Sequence, residues 1–216
     1  MDGRTFAQLG GVHRPGINSP YGFSLIELLL VVGIITVISA VAVPMMSNTV
    51  ANLRLNGDAR SLAGAVAVTK LRAASNFSQA RLFVDLNGRS YHIETWQKAT
   101  GNWVAEGGST TLSSGVSFGF GGVATAPGAG GGLPAQSAPC VAAVTGLAIA
   151  NTACVLFNSR GIPVAPLGIP PNVAGPTGQN ALYIKDAIGV YGLTVSATGM
   201  SQLFRTNLSA TSWVPQ

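Results

Sequence analysis

The 216-residue sequence contains few of the residues that build metal and cofactor sites. Its two histidines, His13 and His92, lie far apart, and a lone histidine is usually a surface or hydrogen-bonded residue and not a zinc ligand. Asp186 is the only acidic residue after Glu106, so the cluster of oxygen ligands that calcium requires is missing too. The sequence therefore predicts no metal and no cofactor.

A hydrolase site finds equally little support. The stretch from Gly115 to Gly119 matches the G-x-S-x-G pattern, in which Ser117 would be the nucleophile at a strand-turn-helix elbow. No histidine occurs after His92, and glycine and proline follow instead of a helix-forming segment. The alternative of a membrane-anchored hydrolase would require loss of activity in Ser117→Ala, and we predict a protein that is not an enzyme.

Only 9% of the residues are charged, and none of them lies between residues 28 and 46. Read as a helix, this run would be roughly 28 Å long, close to the thickness of a bilayer's hydrocarbon core. It predicts a single membrane-spanning segment. Pro44 removes one backbone hydrogen bond from that helix and predicts a kink, after which the helix continues.

Glu27 places a carboxylate at the head of this apolar run. On insertion scales a carboxylate at the centre of a membrane helix costs about 2.5–3.5 kcal/mol, so an acid in such a segment usually has a function and a partner. The candidate partner is a nearby amine.

Two simpler interpretations compete. The first is a secretory signal peptide with Arg4 and Arg14 in its leader and cleavage at the small residues 40–42. Glu27 opposes this interpretation, as does a run longer than the ~7–15 residues usual for a signal peptide. The second is a plain single-pass anchor, which leaves the combination of Gly22, Phe23 and Glu27 without an explanation.

The part of the chain that follows is basic. From residue 47 onward the sequence contains ten Lys or Arg and five Asp or Glu, and the basic residues form no continuous run. Such scattered charges are typical of residues that serve solubility and subunit packing and not of a nucleic-acid binding site. A basic surface also raises encounter rates with acidic partners.

The second half of the predicted helix is amphipathic, with apolar residues that recur every three, four or seven positions up to about residue 78. They are Leu55, Ala59, Leu62, Val66 and Ala73. This stripe predicts that one helix face packs on a sheet.

After Asn76 the pattern changes to short runs rich in β-branched and aromatic residues. Asn87-Gly88 separates runs at 81–86 and 89–96 and predicts a tight hairpin with positive φ at both central residues. Further strands are predicted at 103–106, 116–120, 153–158, 181–185, 190–196 and 201–205. The fold class is α+β, with a long kinked N-terminal helix packed on an antiparallel sheet.

Cys140 and Cys154 are the only cysteines. In an exported domain they favour a disulfide, which would close a 15-residue loop and contribute about 3 kcal/mol in the chain-entropy model. Two free buried thiols are the alternative.

Residues 22–35 resemble the N-terminus of type IV pilins and type II secretion pseudopilins, with a glycine, a phenylalanine and a glutamate followed by an apolar stretch. The resemblance implies a pilin-like fold, cleavage between Gly22 and Phe23 by a prepilin peptidase, and methylation of the Phe23 amine. It also implies that Glu27 is an assembly residue that pairs with this amine on a neighbouring subunit.

Three segments narrow the resemblance to the GspH/FimT branch of minor pilins and pseudopilins: 59–75 before the hairpin, 155–161, and 195–199. Some FimT-like proteins bind DNA through arginines after the last of these segments. Here Gly199 is followed by Met200 and Ser201, and of the basic residues only Arg205 lies nearby. If the protein binds DNA, the candidate binding residues are Arg160, Lys185 and Arg205.

The resemblance implies a leader at 1–22, a membrane and assembly helix at 23–46, an amphipathic extension at 47–78 and a β-rich periplasmic domain at 79–216. The protein is predicted to be a minor pseudopilin of a type II secretion pseudopilus or related filament, anchored by one pass in the bacterial inner membrane. Its implied partners are other pilin subunits, the prepilin peptidase and the inner-membrane assembly platform. The alternative is a type IV minor pilin that takes up DNA.

Overall fold

The computed structural model of the chain describes residues 22–128, 132–166, 175–178, 180–208 and 212–216, with residues 43 and 44 described by their backbone alone. Residues 1–21 of the predicted leader lie outside this part of the chain. The chain divides into two units, one ending at Pro44 and the other beginning at Met45.

The α-helix α1 runs from Leu25 to Ser75. It begins where the Ser24 carbonyl accepts hydrogen bonds from the backbone N–H groups of Glu27 and Leu28, at 3.0 and 3.1 Å. The backbone stays helical at Pro44, as the sequence predicts. The kink there remains a prediction.

Within the described residues, ten strands form two five-stranded sheets, and each pairing between these strands is antiparallel. In spatial order the first sheet contains β3 (Asn102–Thr111), β2 (Ser90–Gln97), β1 (Ala80–Asp85), β5 (Thr152–Phe157) and β6 (Pro163–Val164). The second contains β10 (Val214–Pro215), β9 (Ser201–Asn207), β8 (Gly189–Val195), β7 (Asn180–Lys185) and β4 (Ser117–Phe118). The predicted α+β class is confirmed.

The core of the second unit lies between α1 and both sheets. All five members of the predicted apolar stripe of α1 are buried in it, so the periodicity identified the packing face correctly. Thr69 occupies the remaining position of the stripe without any exposed surface. Its hydroxyl donates to the Ala65 carbonyl at 2.7 Å, which satisfies the polar group inside an apolar interface.

The hairpin between β1 and β2 exists, but its predicted turn is wrong. Asp85 pairs with Ser90, so four residues connect the strands, and the positive φ falls on Arg89 at 51° and not on Asn87 and Gly88. The cause is the Asp85 carboxylate, whose Oδ1 accepts the N–H groups of Asn87 and Gly88 at 3.0 and 2.8 Å. This side-chain turn holds a longer loop than a two-residue hairpin.

Candidate functional site

The candidate assembly site lies at the start of α1. Glu27 occupies the first helical turn, where the positive end of the helix dipole favours a carboxylate. Its side chain is exposed, and no ion pair joins it to another described residue.

The helix that follows is long and apolar enough to cross a membrane by length and composition. Among the described residues up to Met46, the large apolar side chains lie exposed, from 45% at Val31 to 80% at Phe23, which precedes the helix. Thr36, a polar residue in this run, donates its hydroxyl to the carbonyls of Val32 and Gly33 at 2.9 and 2.8 Å. Such internal bonding satisfies a polar group in a segment surrounded by lipid.

The three candidate DNA-binding residues do not share one sheet face. Arg160 is an exposed residue that follows β5 of the first sheet, whereas Lys185 and Arg205 belong to β7 and β9 of the second. Arg205 is in register with Tyr191, and Lys185 is in register with Val190, the next residue along β8. Because neighbouring residues of a strand point to opposite faces, Lys185 and Arg205 project from opposite sides of the sheet.

Arg205 is also engaged within the molecule. Its Nη2 donates to Asn52 Oδ1 of α1 at 2.7 Å, and its guanidinium lies 5.8 Å from the centre of the Tyr191 ring. Arg205 therefore links the helix to the second sheet. DNA binding by these three residues remains a prediction.

Lys70 connects α1 to one turn of each sheet. Its Nζ donates to the carbonyl of Gly199, in the turn between β8 and β9, at 3.0 Å. A Cβ placed on Gly161, in the turn between β5 and β6, would lie 3.2 Å from Lys70 Cε. The turns at Gly161 and Gly199, which end two of the segments that resemble the GspH/FimT branch, thus both contact Lys70.

A buried charged cluster that the sequence did not indicate covers the outer face of the first sheet. Arg81, with a side chain only 5% exposed, forms an ion pair with Glu94, and Glu94 Oε1 lies 3.1 Å from His92 Nε2. Arg81 Nη1 donates to the Val141 carbonyl at 2.7 Å, and its guanidinium lies 4.2 Å from the centre of the Trp103 ring. Burial lowers the pKa of Arg81, while the charge of and the hydrogen bond to Glu94 oppose that shift.

The predicted disulfide between Cys140 and Cys154 is present, and both residues are fully buried. Cys154 is in register with Phe83 of β1, whose neighbours Leu82 and Val84 belong to the core, so the bond lies on the outer face of the first sheet. It fastens the segment that begins at Cys140 over this face, next to the carbonyl that Arg81 binds.

Ser117 lacks the surroundings of a hydrolase nucleophile. It lies inside β4 and pairs with Lys185 of β7, and among the described residues no helix follows it. A nucleophile elbow requires a strand-turn-helix arrangement. In the part of the chain that the structure describes, no group of three or more His, Cys, Asp or Glu could hold a metal ion.

The family model for the prokaryotic N-terminal methylation motif matches residues 18–43. No curated protein matches the chain. Two solved structures of the minor pseudopilin EpsH from the type 2 secretion system of Vibrio cholerae are similar to it, with 14% and 13% identity and TM-scores of 0.42 and 0.40. Each alignment covers 69% of this chain, and they cover 95% and 92% of the respective EpsH chains. The sequence prediction of a prokaryotic N-terminal methylation motif around Gly22, Phe23 and Glu27 is thereby confirmed.

Proposed function

We propose that the protein is a minor pseudopilin, a structural subunit of a type II secretion pseudopilus or of a related type IV filament. The observation that carries the proposal is Glu27, an exposed carboxylate without a partner among the described residues. It lies within a methylation motif and directly precedes a run, from residue 28 to residue 46, that contains no charged residue. The antiparallel sheets packed on the second half of α1 fit a subunit built as an anchor with an ectodomain.

In this function a prepilin peptidase cuts between Gly22 and Phe23 and methylates the new amine of Phe23. The segment up to residue 46 holds the subunit in the inner membrane with the ectodomain in the periplasm. The exposed apolar side chains of this segment support that role, because a helix that is apolar all round requires lipid or other helices around it.

The alignment of subunits during assembly follows from the free-energy cost of the unpaired Glu27 carboxylate in the membrane. Glu27 is costly in lipid when it stands alone, and the amine of Phe23 on a neighbouring subunit offsets that cost at one register of two packed helices. The pair therefore aligns each subunit with the next, while the apolar side chains provide contact area. The inner-membrane assembly platform and other pilin subunits are the partners in this step.

Substitutions at Glu27 test the alignment. Glu27→Val is expected to insert into the membrane normally and to be lost from the filament, and Glu27→Gln, which keeps the shape without the charge, is expected to be lost as well. Glu106→Gln, which removes an ectodomain carboxylate, is the control and should incorporate. Filament fractions probed for the subunit give the readout, and normal incorporation of Glu27→Val would overturn the role.

The alternative function is DNA uptake as a FimT-like minor pilin. Its supporting observation is that the exposed Arg160 and the half-buried Lys185 form no ion pair with another described residue. A gel shift of the purified protein with double-stranded DNA at low and high salt tests it, because phosphate contacts weaken steeply as salt rises. A deletion strain scored together for exoprotein secretion, piliation and transformation then identifies the machine by the process that fails.

A further inference from the structure

A cleft of about 580 Å³ opens beside the connection between α1 and β1. Its lining includes Phe77, Gln79, Trp96, Lys98, Asn158 and Ser159, all in the second unit. This volume lies within the range of about 300–1,000 Å³ that is typical of ligand pockets. We propose that the cleft binds an acidic peptide segment of a partner protein, with its carboxylate on Lys98.

The first argument comes from the end of α1. Phe77 N–H donates to the Ala74 carbonyl at 3.3 Å and Ser78 N–H donates to the Ala73 carbonyl at 3.2 Å, the hydrogen-bond pattern of a Schellman cap. Such a cap places one residue in the left-handed region, and this position is usually glycine. Here it is Phe77, with φ 46°.

Phe77 gains little burial in return for this strained backbone, since 77% of the residue is exposed at the edge of the cleft. A bulky residue with positive φ and an exposed ring contributes little to the fold, and strain of this kind concentrates at functional sites. Together with the nearly buried Trp96, the ring provides an aromatic surface on which an apolar side chain of a ligand can pack.

The second argument is the polar lining. Lys98 is the only charged residue of the cleft lining among the described residues. Its Nζ donates to the Phe77 carbonyl at 2.8 Å, which leaves two of its three N–H donors for a carboxylate. Gln79 is only 9% exposed, and its Oε1 accepts no hydrogen bond from the described residues, so a peptide N–H would satisfy a buried acceptor.

The third argument is the charge of the surrounding domain. Every carboxylate from residue 47 onward already has a partner within the chain. Two form ion pairs, Glu94 with Arg81 and Glu106 with Arg72. The other three, Asp58, Asp85 and Asp186, accept hydrogen bonds from backbone N–H groups. Among the described residues only two of the ten basic side chains of this region form ion pairs with carboxylates. Because ten basic residues stand against five acidic ones from residue 47 onward, the domain has an excess of positive charge, which favours an acidic partner.

The test uses the full chain in detergent micelles and two pools of fluorescent, acetylated and amidated hexapeptides. One pool carries a single Asp or Glu among apolar residues, and the other carries Asn or Gln at that position. Fluorescence anisotropy is expected to show binding of the acidic pool and at least tenfold weaker binding of the amide pool. Equal affinity for both pools, or no binding of either at millimolar peptide, would overturn the proposal.

Variants locate the binding. Lys98→Met is expected to weaken binding of the acidic pool at least tenfold and Lys98→Arg to retain it. The control Arg54→Met, which removes an exposed cation of α1, is expected to leave binding unchanged. Phe77→Gly relieves the strained cap, so we expect a higher melting temperature together with weaker peptide binding. A merely structural Phe77 would give the first change without the second, and that outcome contradicts the proposal, as does full binding by Lys98→Met.

The cleft is independent of the proposed filament role, and the two can fail separately. The Glu27→Val chain, defective in assembly, is expected to bind the acidic pool as the unaltered chain does. A loss of peptide binding in Glu27→Val would place the binding site outside this cleft.

Discussion

The Lys70 ammonium group donates a hydrogen bond to the Gly199 carbonyl at 3.0 Å, across 129 residues of sequence. Gly199 has φ 75°, and a Cβ on it would lie 2.7 Å from the Gly161 carbonyl oxygen and 3.1 Å from Lys70 Nζ. The absence of a side chain at Gly199 therefore allows α1, the β5–β6 turn and the β8–β9 turn to meet.

Gly199→Ala is expected to destabilise the protein by more than the ~1–2 kcal/mol that a left-handed backbone alone costs an L-residue, because its Cβ also collides with backbone. Gly101→Ala is the matched control, since Gly101 has a similar φ of 64° and no atom within 4 Å of the added Cβ. Urea unfolding of both variants measures the difference. Equal losses would show that the close contact at Gly199 carries no energetic weight.

The N-terminal motif and the stripe of α1 were predictable because both are local. A helix repeats every 3.6 residues, so the spacing of Leu55, Ala59 and Leu62 already identifies a buried face. The contact of Lys70 with Gly199 was not predictable, because it depends on how distant turns meet. Arg81 and Glu94 oppose each other across the β1–β2 hairpin, so their pairing is local. Their burial was not predictable, because it depends on the distant segment that brings the Val141 carbonyl to Arg81.

Two features of the sheets also differ from the sequence prediction, the β1–β2 turn and two short strands. Asn87-Gly88 is the usual two-residue turn, yet the Asp85 carboxylate binds both N–H groups and selects a longer one. The strands β6 and β10 were missed because each has two residues, one of them a proline, which is unfavourable in a sheet interior.

Glu94→Gln tests the buried cluster. Removal of the carboxylate leaves the Arg81 guanidinium buried without a counter-charge, and the expected loss of unfolding free energy is about 3 kcal/mol. Glu106→Gln breaks the more exposed pair with Arg72, which is expected to cost about 0–1 kcal/mol. Denaturant unfolding at neutral pH compares them, and a cost for Glu94→Gln as small as that for Glu106→Gln would contradict the importance of burial.

Two buried phenols, those of Tyr91 and Tyr183, are expected to contribute to the pH dependence of stability at alkaline pH. Burial raises the pKa of Tyr183; burial and then the Asp58 charge raise the pKa of Tyr91, against a hydrogen bond with Ser61. The folded state therefore keeps these protons longer than the unfolded chain. Their contribution is fully present below the unfolded pKa of about 10 and is lost as pH rises through the folded pKa.

We expect Tyr183→Phe to flatten the decline of unfolding free energy as pH rises above about 10, the unfolded pKa of tyrosine. Urea titrations at half-unit pH steps measure the slope, with absorbance of tyrosinate at each step to follow ionisation. A slope unchanged in both Tyr183→Phe and Tyr91→Phe would assign the alkaline loss to other groups.

The disulfide predicts a redox effect on stability. Replacement of Cys140 and Cys154 by serine is expected to lower the free energy of unfolding by about 3 kcal/mol, the value for a loop of this length in the chain-entropy model. Reductant should weaken the unaltered chain by a similar amount and leave the double variant unchanged. A double variant as stable as the oxidised chain would show that packing over the outer face of the first sheet suffices without the bond.

Processing at Gly22 tests the start of the motif without disturbing the fold. A Cβ on Gly22 meets no atom within 4 Å, so Gly22→Val is expected to fold and insert normally. A β-branched side chain at the cleavage position should block the peptidase, and intact-mass spectrometry of membrane fractions would then find the precursor, heavier by the 22-residue leader. Gly33→Ala, which also adds a Cβ in open space, is the control and should be cut. Normal cleavage of Gly22→Val would contradict this site, whereas an uncut Gly33→Ala would indicate that the peptidase reads the helix as well.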